Sequence, residues 1–242
     1  MHRFFVTEIS GDRAYLSKED AQHAYRVLRL HCGDRVCLCD GCGHDYDGEI
    51  ISADKDEVLV CVSNMRDSET ESRLAITLFQ CMPKQGKPEV IIQKCVELGV
   101  RNFIFTESER TVVRLDEKSF ENKCVRYNKV AYEAAKQSER GIIPHVDYVK
   151  KLDKCDFSGY DTVIMPYENE REYTLRQLVQ DQSLTHGDRK IAVIIGPEGG
   201  FTEDEVTAVR EKGGHIVTLG KRILRTETAG MATVAMLMGL AE

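Results

Sequence analysis

The chain has no apolar stretch long enough to cross a bilayer, which needs about twenty residues; the longest small or apolar run, 228 to 241, has about fourteen. A membrane-spanning role is therefore excluded. The opening Met1-His2-Arg3-Phe4-Phe5 has no charged-then-apolar leader, so a cytoplasmic protein is expected. An excess of positive charge is also missing. Against 33 Lys and Arg stand 40 Asp and Glu, a formal net charge of −7. Only residues 71–150, with 14 basic and 11 acidic side chains, are basic as a segment. Any nucleic acid would have to be held through local clusters. Paired cysteines are lacking too: nine, an odd number, are scattered singly, which describes reduced thiols and not a disulfide framework. Cys37, Cys39 and Cys42 have a ligand-like C-x-C-x-x-C spacing but no second pair, and they alternate along an expected strand, so no metal is expected.

What is present divides at a polar linker, 66–72. Before it, alternating apolar residues mark short strands at 3–7, 14–16, 35–39, 46–52 and 57–64, with one helix at 18–28. A small β-barrel is the natural closure, because it removes exposed edges. From Leu74 onward strands alternate with helices, the pattern of an α/β domain with a parallel sheet covered on both faces. Strands are expected at 74–80, 102–106, 161–165, 190–195 and 215–219. Helices are expected at 88–99, 119–139 and 228–241. In the second of these Phe120, Cys124, Tyr127, Ala131, Ala134 and Ser138 form a buried stripe. The last is apolar on nearly every side and should be wholly buried in a core or a subunit interface.

Two motifs carry the chemistry. Ile195-Gly196-Pro197-Glu198-Gly199-Gly200-Phe201 and Leu219-Gly220-Lys221-Arg222-Ile223-Leu224-Arg225-Thr226-Glu227-Thr228-Ala229 each close a strand with a glycine turn and open a helix. They should meet at the ends of neighbouring parallel strands, where open α/β sheets bind ligands. A phosphate is disfavoured in the first turn. Thr202 and Glu205 have capping-box spacing, and Phe201 and Val206 that of a hydrophobic staple, so the helix satisfies its own donors. The glycines suit a phosphate-free, adenine-bearing ligand held by backbone groups; a plain tight turn at Gly199-Gly200 is the alternative.

The pair of motifs resembles the RsmE-type 16S ribosomal RNA uracil-N3 methyltransferases of the SPOUT superfamily. MHRFF at 1–5, HAYRVLRL at 23–30, IIQKCVELGV at 91–100 and EAAKQSER at 133–140 follow in the family's order. Tyr127 stands where the family usually has tryptophan, which this chain lacks altogether. The resemblance implies a PUA-like RNA-binding β-barrel over 1–70 and a SPOUT methyltransferase domain over 73–242. It further implies a C-terminal trefoil knot, a homodimer through the knot and the last helix, S-adenosylmethionine as methyl donor, and 16S rRNA, within the 30S subunit, as substrate. The donor would rest on Met165, Pro166, Ile195, Gly196, Gly199, Gly200, Leu219, Gly220, Ile223, Leu224, Thr228 and Ala229. RNA-binding or active-site roles are implied for Gln137 and Arg140.

Uracil N3 is a poor nucleophile until it loses its proton, so a base or a stabilising cation is required. Arg225, Glu198 and Glu227 are the candidates: Arg225 for charge on a carbonyl oxygen, either glutamate for the proton, with a structural capping role open for Glu198. Lys84 and Lys87 suit phosphate contacts, as do Lys94 and Arg110 and, nearer the start of the chain, Arg3, His23, Arg26 and Arg29; ordinary solvated or structural roles remain open for the lysines and for His23. A tRNA or other rRNA target, a non-catalytic ribosome-assembly module and a phosphate-binding nucleotide enzyme are the alternative readings.

Overall fold

Turn residues and alternating apolar positions cut the first part of the chain into β1 (His2–Phe5), β2 (Arg13–Tyr15), β3 (Arg35–Cys39), β4 (His44–Ala53) and β5 (Val58–Asp67). The computed structural model describes residues 1–84 and 86–241. It joins these strands in one sheet, β1-β3-β4-β5-β2, with β1 parallel to β3 and the remaining pairs antiparallel. Asp40 makes the β3–β4 turn by accepting from the amides of Cys42 and His44, and Asp54 makes the β4–β5 turn through Asp56 and Glu57. Phe4, Val36, Leu38, Ile50 and Val60 form the core with Ala21 and Ala24. The expected helix at 18–28 is α-helical only in α1 (Lys18–Gln22). It continues as a π-helical segment, His23–Leu28, that ends on Arg29 at φ +55°.

This sheet belongs to a compact unit of Met1–Glu71 with Ala135–Ile143; the second unit is Ser72–Ala134 with Pro144–Glu242. The segment 135–143 thus groups with the first unit. Glu71 is the reason. Its carboxylate takes Nε and Nη2 of Arg140 at 2.8 and 2.7 Å and the amides of Gly141 and Ile142 at 2.8 and 3.1 Å.

The second unit is a six-stranded, fully parallel sheet in the order β11-β9-β10-β6-β7-β8. The strands are β6 (Leu74–Cys81), β7 (Asn102–Thr106), β8 (His145–Val149), β9 (Thr162–Pro166), β10 (Arg189–Ile195) and β11 (His215–Val217). Central β6 and β10 are buried nearly end to end, as a sheet covered on both faces requires. β8 lies at the edge and buries only Val146 fully, so HVDYV carries too little apolar signal to mark a strand. The helices are α2 (Lys87–Glu97), α3 (Glu117–Gln137), α4 (Leu175–Asp181), α5 (Glu203–Glu211) and α6 (Thr226–Ala241). Both α4 and α5 start with full capping boxes, Thr174/Gln177 and Thr202/Glu205. Phe120 and Tyr127 of α3 pack with Phe105 of β7, Tyr127 at 5.5 Å between ring centroids.

α6 packs on α2, α4, β6 and β10. It is less covered than its composition demands: Ala235, Met236 and Gly239 are exposed. No helix among the described residues is long and apolar enough to cross a membrane. The ladder carries β7 and β8 on one side of the β6/β10 pair and β9 and β11 on the other, so the strand order reverses there and opens a crevice at the carboxyl ends.

Arg140 is only 4% exposed. Replacing Glu71 by Ala removes the carboxylate from a buried guanidinium and is expected to cost about 3–5 kcal/mol, the usual penalty for breaking such a pair. Urea unfolding followed by circular dichroism measures it; a loss below about 1 kcal/mol, the range of surface pairs, would contradict the assignment.

Candidate active site

The loops leaving β9, β10 and β11, with the loop from β6 to α2, enclose a cleft of about 430 Å³. Its two glycine motifs are not on adjacent strands as expected: β9 lies between β10 and β11, so a third loop, Tyr167 and Glu168 onward, enters the site. Gln80 of β6, fully buried, fixes the floor. Its Nε2 donates to Thr226 Oγ1 at 2.8 Å, and that hydroxyl donates to the carbonyl of Gly196 at 2.6 Å. One chain of hydrogen bonds thus ties β6, the first glycine turn and the start of α6.

Space decides the glycines. Gly200 has φ +68°, and a Cβ there would collide with the Glu168 carboxylate; a Cβ on Gly196 would come within 3.0 Å of the buried Phe201 ring. Pro166, Ile195, Leu219, Gly220, Leu224 and Ala229 line the cleft, while Ile223, 81% exposed, stands at its mouth. Three residues expected at the ligand lie elsewhere. Met165 points wholly into the core, Gly199 turns its carbonyl to Arg110 Nη1 at 3.1 Å, and Thr228 is exposed on α6. The motif reading missed Tyr167, Glu168, Arg171 and Thr218, which line the cleft; a search of every loop at the carboxyl edge would have found them.

Lys87 organises the charges. Its Nζ lies 3.0 Å from Glu198 Oε1 and 3.0 Å from Glu227 Oε2, and Glu198 Oε1 also accepts from the amide of Lys84 at 3.1 Å. Glu227 Oε2 is buried, and Lys87 is the cation set against it. Burial alone would raise Glu198, but the Lys84 amide and Lys87 outweigh it and hold the carboxyl below its ordinary range. Burial would raise Glu227 likewise; its own amide, Lys87 and Arg225 bring it down. Lys87 is pushed up by hydrogen bonding to Glu227 and Glu198. The cluster is therefore a lysinium between two carboxylates, and Lys87 is not available as a phosphate contact. Arg225, by contrast, is exposed and lines the cleft.

The α5 N-terminus is occupied by its own side chains. Thr202 and Glu205 cap it, Glu205 Oε1 takes the amide of Glu109 at 2.8 Å, and Glu203 accepts from Tyr167 Oη at 2.7 Å. These contacts leave the helix end poorly suited to a phosphate. Of the remaining basic candidates, Arg3 is bound to Asp45 at 2.6 Å and to Ser68 at 3.1 Å, and Arg140 to Glu71, so both have a structural role in the fold. Lys94 is held by Glu97 at 2.9 Å. Lys84, Arg110, His23, Arg26, Arg29 and Gln137 are exposed. His23 and Arg26 share a π-helical turn, which is wider than an α-turn and brings residues three apart less into line.

Residues 70–238 match the RNA methyltransferase domain family, and residues 16–62 match the RNA methyltransferase PUA domain. The chain is 33% identical over 217 residues to Ribosomal RNA small subunit methyltransferase E of Bacillus subtilis, covering 88% of this chain and 85% of that protein. The crystal structure of a Ribosomal RNA small subunit methyltransferase E from Neisseria gonorrhoeae bound to S-adenosyl methionine is similar at a TM-score of 0.79 and 30% identity, over 99% of this chain and 98% of the other. A putative methyltransferase from Legionella pneumophila in complex with SAM is similar at a TM-score of 0.79 and 27% identity, over 98% and 96%.

Because Glu198 and Glu227 are lowered in the folded protein, they stabilise it above the usual carboxylate range, and that contribution is lost as pH falls through their folded values. Lys87→Met should raise both carboxyl pKa values and make the rise of stability with pH across that range shallower. Carboxyl carbon NMR titration checks the first and urea midpoints the second; unchanged titration of both glutamates would refute the cluster.

Proposed function

This chain belongs to the RNA methyltransferase family, and from that premise we propose that it methylates N3 of a uracil in 16S ribosomal RNA, in the cytoplasm, with S-adenosylmethionine as donor. The observation that carries the reading is the cleft. Its walls include Ile195, Leu219 and Leu224, and the nearby helix end carries its own acids and a capping box, which disfavours a phosphate. Its volume is within the usual range for small-ligand sites, about 300–1,000 Å³. An adenosine with no phosphate fits such a site, held by the backbone at Pro166, Gly196 to Glu198, Gly200 and Leu219 to Leu224. When bound, the donor supplies an activated methyl group.

The protein's own residues prepare the acceptor. Arg225, at the mouth of the cleft, stabilises negative charge on a uracil carbonyl oxygen as N3 gives up its proton. Two ionised glutamates below their ordinary pKa are weak bases, so charge stabilisation contributes more than base strength. Glu227 is the less engaged of the two and the better relay for the proton: both pair with Lys87 at 3.0 Å, but Glu198 Oε1 also accepts from the amide of Lys84. Glu198 then fixes the glycine turn against the β6–α2 loop.

RNA would be gripped by Lys84 and Arg110 and, on the other unit, by His23, Arg26, Arg29 and Gln137. The exposed Ala235, Met236 and Gly239 face of α6 suits a homodimer, where an apolar helix gains cover. The return of the chain from edge strand β11 to α6, which packs on central β6 and β10, supports a trefoil knot. Closure of the first sheet between its end strands β1 and β2 would give the PUA-like barrel.

Calorimetry with S-adenosylmethionine, followed by incubation with small ribosomal subunits that lack the modification and mass spectrometry for N3-methyluridine, tests the reading. Arg225→Ala should keep cofactor affinity and lose about 10²–10³ in turnover, the cost of removing one oxyanion donor. Gly200→Val should abolish cofactor binding. Cofactor binding without N3-methyluridine would move the substrate to tRNA or another rRNA; no binding would leave an RNA-binding assembly module.

A further inference from the structure

The loop that leaves β9 is tied down by its own side chains. Tyr167 Oη donates to Glu203 at 2.7 Å and accepts from Asn169 Nδ2 at 3.0 Å. Glu170 Oε1 accepts from the amides of Arg171, Glu172 and Tyr173 at 2.9, 2.8 and 3.1 Å. The backbone is held at both ends of the loop, Tyr167 N donating to Val217 O at 3.0 Å and Thr218 N to Tyr173 O at 2.8 Å. Between these anchors Glu168 is uncommitted. It is half-buried and lines the cleft, and among the described residues no hydrogen bond or ion pair reaches its carboxylate. Arg171, exposed on the same loop, forms no ion pair with it.

Its place on the sheet says which part of a ligand it meets. The carboxylate lies against Gly200, in the volume a Cβ there would take, so it shares a wall with the first glycine turn. β10, which carries that turn, separates β9 from β6. The charged groups of the candidate reaction gather toward β6, where Glu198 meets the Lys84 amide and Lys87, Lys87 meets Glu227, and Thr226 is bound to Gln80. Glu168 thus stands across the glycine turn from the reacting end. A carboxylate held still and without a donor recognises a group that brings donors of its own, and two adjacent hydroxyls match its two oxygens. In dinucleotide-binding sheets an acidic side chain near the glycine turn accepts from a ribose hydroxyl in this way. Resting on the reading of the cleft as the site of an adenosine-bearing donor, we infer that Glu168 is a specificity-determining residue that accepts from the ribose hydroxyls of S-adenosylmethionine. The donor is then held by backbone at the glycine turns and by one charged acceptor at its sugar.

Calorimetry on the full chain tests it. The ligands are S-adenosylmethionine, S-adenosylhomocysteine and the 2′-deoxy and 3′-deoxy forms of S-adenosylhomocysteine; the proteins are the wild type and Glu168→Gln, which keeps the shape and loses the charge. In Glu168→Gln the affinities for S-adenosylmethionine and S-adenosylhomocysteine should fall by the same factor, about tenfold, as expected for a hydrogen bond to a charged group. The wild type should bind at least one deoxy form about tenfold more weakly, and the substitution should cost that form little more, because the contact is already gone. A loss confined to S-adenosylmethionine would put the carboxylate at the sulfonium and overturn the ribose contact. Equal losses on the ribo form and both deoxy forms, or unchanged affinity throughout, overturn it as well. The comparison of ribo and deoxy ligands on the wild type needs no variant, and circular dichroism checks that Glu168→Gln is folded. A wild type that binds none of the four ligands sinks the donor reading and the contact together. Glu168-dependent binding with no N3-methyluridine formed sinks the proposed reaction and leaves the contact standing.

Discussion

The hydrogen-bond chain from Gln80 through Thr226 to Gly196 is the constraint on which the candidate site rests. A fully buried amide in a central parallel strand needs partners, and Gln80 finds one on the helix that follows β11 and passes it on to the loop that follows β10. Two segments thirty residues apart in sequence are thereby set edge to edge over β6. The arrangement is incomplete, because Gln80 Oε1 stays buried without a partner, facing Gly230, where a Cβ would sit 3.4 Å away. An unmet acceptor costs about 1–3 kcal/mol. The fold tolerates that cost where the other half of the same amide fixes the floor of a cleft.

Charge in the cleft follows from the same economy of partners. The α5 helix caps itself with Thr202 and Glu205 and carries three acids in its first turn, so an anion is disfavoured there, and Lys87 is enclosed by the two acids nearest to it. Arg225 stands open to the cleft at its mouth. A site so arranged is suited to receiving charge that develops during a reaction and not to holding charge already present in a ligand.

Much of this was legible in the residues. Helix starts were readable where a side chain closes on its own backbone, as at Thr202 and Glu205, because that interaction spans only three positions. Strands buried on both faces were readable as apolar runs, whereas β8 was not, since an edge strand with one fully buried side chain leaves no pattern. Partnerships over long sequence separations were invisible. Arg140 reads as an RNA-facing or active-site residue until Glu71 is placed beside it, 69 residues earlier, and Arg3 looks free until Asp45 and Ser68 close over it. The π-helical turn at His23–Leu28 was equally hidden, because its apolar positions differ little from those of an α-helix of the same length.

Gly200 and Glu168 sit on different loops, yet each limits what the other can be. The carboxylate occupies the volume that any side chain at 200 would need, and the backbone at 200 has a left-handed φ that only glycine adopts without strain. A change at 200 alone meets both obstacles, and a smaller residue at 168 removes only the first. Position 200 is therefore held to glycine from two directions, so this wall of the cleft cannot be rebuilt from its own loop and can deepen only through a smaller residue at 168.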